Sequence, residues 1–121
     1  MKHALGILFF SLAIPVAGSA GEARLPNAVE AQDDALIQEL LEGEAGVNAK
    51  QVDGMTALHW AAYQDDAGLG SLLLKNGADA SAKNRYGIMP LHLACLNGNA
   101  QFIGALIEHG ADPDSSIPGG E

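Results

Sequence analysis

A chain of 121 residues, 48% of them apolar, is long enough for one small folded domain and too apolar to be disordered. Its 15 acidic and 6 basic residues give a net charge of −9, which speaks against nucleic acid and against anionic lipid as partners, since both require a basic face. The single cysteine, Cys95, rules out an internal disulfide and a cysteine-built zinc site.

The chain opens on MKHALGILFFSLAIPVAGSA. Lys2 supplies a positive start, Ala4 to Ile14 an apolar run, and Pro15 a break. Gly18 and Ala20 are the small residues that would precede cleavage before Gly21. This layout predicts a secretory signal peptide over residues 1–20. The apolar run is shorter than the roughly 20 residues that span a bilayer, and no cysteine stands at the cleavage point to carry a lipid anchor. The expected product is exported, soluble and clear of the membrane, with the periplasm as its compartment.

Two short helices are expected next, within LPNAVEAQDDALIQELLEGEAG, followed by turns over 44–55. Thr56 can cap a helix from Ala57 to about Gln64, and a second helix follows from about Asp66 to Asn76. Leu69, Leu72 and Leu73 recur there at helical spacing, and Gly77 ends the helix. Turns fill 77–88. Pro90 sits near the start of the next helix, where its missing N–H costs nothing. Phe102, Ile103, Leu106 and Ile107 mark a last helix from about Asn99 to His109, stopped by Gly110. Gly68, Gly70 and Gly104 lie inside helices, at about 1 kcal/mol each against alanine.

Shifting the chain by 33 residues superposes much of it on itself. Gly54 meets Gly87, Leu58 and His59 meet Leu91 and His92, Ala61 and Ala62 meet Ala94 and Cys95, and Gly77, Ala78 and Asp79 meet Gly110, Ala111 and Asp112. A backward shift pairs Leu40 and Leu41 with Leu73 and Leu74. A fixed period of this size signals a stacked repeat. TALHWAA and MPLHLAC, with LLLKNGADASAKN and LIEHGADPDSS, resemble the two halves of the ankyrin repeat over roughly residues 24–121. The resemblance is to the exported, periplasmic bacterial type. It implies an all-α solenoid of about three helix-turn-helix units joined by hairpin-like fingers. The units are a degenerate, polar N-terminal cap (24–53), a second (54–86) and a third (87–120). Stacking must supply the core, because no unit buries its apolar face alone. With fewer than three regular units the array is expected to be only marginally stable.

His59 and His92 sit one repeat apart, and the resemblance implies that they tie turns by hydrogen bonds rather than hold a metal. Met89 stands where the family has threonine and Ala57 where it has proline, which predicts a weaker tie at His92 and a looser turn at Ala57. Cys95 takes the packing slot of Ala62 and is expected to be buried and inert. No nucleophile–base–acid order, phosphate loop or paired carboxylates stand out, so neither an enzyme nor a cofactor is expected.

Recognition is then expected at positions that stacking leaves free, which the resemblance places on the finger tips and the exposed side of each first helix. They are Val52, Asp53, Met55, Tyr63 and Gln64 in the second unit, and Lys83, Arg85, Tyr86, Ile88, Leu96 and Asn97 in the third. Trp60 lies beside them, expected to be partly packed. Tyrosine, methionine and arginine are types enriched at interfaces. The expected function is a non-enzymatic module that binds a partner protein through its concave surface. The alternatives are a fragment of a longer ankyrin protein without activity of its own, and an inhibitor or immunity protein for a secreted toxin. No polar C-terminal cap follows the third unit, so association through that unit is a further expectation.

Overall fold

Six helices, and no strand, make up residues 23–43 and 46–114, the part of the chain that the computed structural model describes. The expected leader, residues 1–20, lies outside them, as does the end of the third unit. The helices come in three pairs: α1 (Arg24–Glu30) with α2 (Asp34–Glu42), α3 (Ala57–Tyr63) with α4 (Ala67–Lys75), and α5 (Pro90–Asn97) with α6 (Ala100–Glu108). Each expected helix is present, and the three with expected bounds, α3, α4 and α6, lie within a residue or two of them.

Local chemistry repeats with the period. The second helix of every unit is capped by an Asx side chain: Asp33 accepts from the N–H of Leu36, Asp66 from that of Leu69 and Asn99 from that of Phe102. These caps satisfy amides that a helix N-terminus otherwise leaves bare. Gln32, Asp65 and Gly98, again 33 apart, take positive φ of 59°, 62° and 69° in the tight turn between the paired helices. Only the third copy uses glycine, the residue that accepts this conformation without strain.

The first helices α1, α3 and α5 pack in a row, and α4 packs against α6. Their facing sides form one core, from Leu25, Val29 and Ile37 through Leu58, Leu73 and Leu74 to Leu91, Phe102 and Leu106. Ala61 and Ala62 are fully buried, which lets α3 and α5 approach closely. Gly70 is a second close approach. A Cβ there would lie 2.4 Å from Phe102 Cζ, so the missing side chain of one unit receives the ring of the next.

Between units the chain forms fingers, each a turn rather than a strand pair. In the first, Gln51 N–H donates to Met55 O at 2.9 Å and Gly54 N–H to Gln51 O at 2.8 Å. The next repeats this with Asn84, Ile88 and Gly87. The two fingers are joined by Arg85 N–H donating to Asp53 O at 2.8 Å. Gly54, at φ 87°, permits the contact, since a Cβ there would lie 2.8 Å from Asn84 Cα.

Candidate partner-binding surface

The histidines are structural, as the resemblance implied. Thr56 N–H donates to His59 Nδ1 at 3.1 Å, so that nitrogen is an acceptor and the proton sits on Nε2. Nε2–H then donates to Ile88 O at 2.7 Å, tying the second unit to the finger of the third. The Thr56 hydroxyl accepts from His59 N–H, closing a reciprocal cap. At His92 the box recurs in weaker form: Met89 N–H donates to Nδ1 at 3.0 Å, and a thioether, a poor acceptor, stands where Thr56 has its hydroxyl. Burial holds the pKa of both rings below the usual histidine value.

Cys95 departs from expectation, for it is exposed. Its register partner Ala62 is fully buried because the third unit covers it. Among the described residues no further layer covers Cys95. The same asymmetry separates Leu74, 3% exposed, from Ile107, 41% exposed.

Two of the expected recognition residues, half-buried Gln64 and exposed Asn97, each commit a side-chain hydrogen bond to the stack. Gln64 Nε2–H donates to Val29 O at 2.9 Å, and Asn97 Nδ2–H donates to Ala62 O at 2.7 Å. They occupy the same register position, and each ties its unit to the one before. Met55 and Ile88 are only half-exposed: the Met55 sulfur faces Asn84 Nδ2 at 3.5 Å, and the Ile88 backbone is held by Asn84 and His59.

The others remain at the surface. Val52 is 97% exposed at its finger tip and Leu96 76% exposed on α5. Tyr63 and Tyr86 are exposed too, Tyr63 edge-on to Trp60 at 5.6 Å and Tyr86 beneath the Arg85 guanidinium at 5.7 Å. Lys83 is exposed, and Asp53 is half-buried with Oδ1 accepting from Met55 N–H.

A polar chain that was not expected from the sequence crosses the front of the first two units. Trp60 Nε1–H donates to Gln51 Oε1 at 2.8 Å, and Gln51 Nε2–H donates to Asn27 Oδ1 at 2.7 Å and to Glu30 Oε1 at 2.8 Å. These residues, with Val52 and Asp53, line an open groove of about 530 Å³ between the first finger and helices α1 and α3. The repeat contains the signal: Asn27, Trp60 and Leu93 share one register position, and Glu30, Tyr63 and Leu96 share another a helical turn on. The concave strip therefore runs from polar through aromatic to aliphatic. Among the described residues no group of three or more histidines, cysteines and carboxylates could hold a metal ion.

A family model described as ankyrin repeats, in three copies, matches residues 25–117. No curated protein matches the chain.

Proposed function

The chain belongs to the ankyrin repeat family, and on that premise we propose that it is an exported, non-enzymatic module that holds a partner protein on its concave face, in the periplasm. Ankyrin repeats generally mediate protein–protein interactions, using the extended concave surface that stacking creates. One observation carries the reading here. Val52, Tyr63, Tyr86 and Leu96 are large, apolar or aromatic and exposed, on the strip where the fold leaves side chains free. Export is supported by the signal-peptide layout of residues 1–20.

Crosslinked capture from a periplasmic extract tests the module, with Tyr63→Ala combined with Tyr86→Ala as its control. A specific partner lost in the double variant is the expected result, and equal capture by both forms counts against the concave face. Mass spectrometry of the protein recovered after secretion is expected to show an N-terminus at Gly21. A second contact, through the last unit, is favoured by the exposure of Cys95 and Ile107 where the equivalent Ala62 and Leu74 are buried. Sedimentation at rising concentration tests it.

A further inference from the structure

We propose that the groove between the first finger and helices α1 and α3 seats a cationic side chain of the partner, an arginine or lysine with an apolar neighbour. This rests on the concave-face reading above and narrows it to one chemistry.

Glu30 and Asp53 both line the groove. Each has one oxygen committed, Glu30 Oε1 to Gln51 and Asp53 Oδ1 to the N–H of Met55. Neither carboxylate is in an ion pair with any of the described residues. Trp60 forms part of the same wall and does not swing freely, because its indole N–H is fixed by Gln51, which Asn27 and Glu30 hold in turn. Groups from α1, the finger and α3 are thus set in place before any partner arrives, which lowers the ordering cost of binding. Two carboxylates beside an indole suit a guanidinium or an ammonium, through charge-assisted hydrogen bonds and cation–π attraction. An anionic group would meet like charge on a chain of net charge −9. Val52, almost fully exposed at the rim, offers an apolar contact to the neighbouring residue. One repeat along, Arg85 and Tyr86 stand where Val52 and Asp53 stand here, so the sign of the finger charge reverses. That reversal gives a bound segment a direction, with its cationic end toward the N-terminal unit.

Trp60 is the only tryptophan in the chain, so its emission reports on the groove. The experiment titrates the chain with a capped peptide of alternating arginine and leucine, and with a twin carrying glutamate for arginine. The arginine peptide is expected to shift the emission saturably, more weakly as salt is added, and the twin to leave it unchanged. Glu30→Gln with Asp53→Asn removes both charges but keeps the two accepting oxygens, and it is expected to weaken binding about tenfold. Should that variant melt early, Asp53→Asn alone, with about a threefold loss, replaces it.

An equal response to the twin, no saturation with the arginine peptide, or unchanged affinity in the charge variant would overturn the proposal. So would a concentration-dependent shift without peptide that tracks a dimer in sedimentation, which assigns the groove to a second copy. Partner capture lost in Tyr63→Ala with Tyr86→Ala, but kept in Glu30→Gln with Asp53→Asn, leaves the module standing and sinks the cation seat alone.

Discussion

His59 is held by donors on one side and an acceptor on the other, which leaves room for one protonation state. A proton added to Nδ1 would face the amide and hydroxyl of Thr56, so burial and geometry both favour the neutral ring. Its folded pKa lies below the ordinary 6.5, chiefly through burial, with the hydrogen bond to Ile88 opposing. His92 is lowered as well, first by burial and then by Lys83. The unfolded chain then binds more protons as pH falls below about 6.5, so stability is full above that pH and declines toward the lowered folded values. Urea midpoints are expected to be level from pH 8 to 7 and to drop between 6.5 and 5, and a flat profile across that window would contradict the neutral assignment. The tie itself was expected because the recurring phrase resembles the ankyrin repeat, whose histidine makes it. The exposure of Cys95 was not, because register gives a slot and not the neighbour that fills it. Native-state labelling with a thiol reagent is expected to proceed nearly as fast as labelling in denaturant, whereas protection by orders of magnitude would restore the buried reading.

Interior glycines in the second helices look alike in sequence, each a loss of about 1 kcal/mol against alanine. The packing separates them. Nothing lies within 4 Å of a Cβ placed on Gly104, whereas one on Gly70 strikes the ring of Phe102. Gly104→Ala is therefore expected to raise stability by about 1 kcal/mol. Gly70→Ala is expected to lower it, since overpacking costs about 1–3 kcal/mol against that same gain. A double-mutant cycle checks the cause: with Phe102→Ala in place, Gly70→Ala should turn neutral or stabilising. Helix ends were easier to read. Thr56, Pro90, Gly77 and Gly110 act where their chemistry suggested. The left-handed turns at Gln32 and Asp65 were hidden, because the local sequence carries no glycine there and only the register with Gly98 betrays them.

Across the molecule the units are joined by the core, by Gln64 and Asn97 reaching back one unit, by His59 reaching from α3 to the second finger, and by Arg85 tying that finger to the first. Each unit depends on its neighbours, so three units should unfold as one. Trp60 emission and helical circular dichroism are expected to report the same denaturant midpoint, and separated midpoints would show that a terminal unit frays independently.

The sequence alone determined the period, the helix pairs and the stacked architecture, because each rests on spacing and capping that are local and stated more than once. The resemblance to ankyrin repeats implied, as an expectation, a strip of first-helix and finger positions for recognition. Only the tertiary structure decided which of those side chains bond to a neighbouring unit. Gln64 and Asn97 differ from Tyr63 and Leu96 not in pattern but in what stands one unit away, a carbonyl within reach or open solvent. The groove of Asn27, Glu30, Gln51 and Trp60 has the same origin, since its walls come from three elements that meet only when two units stack.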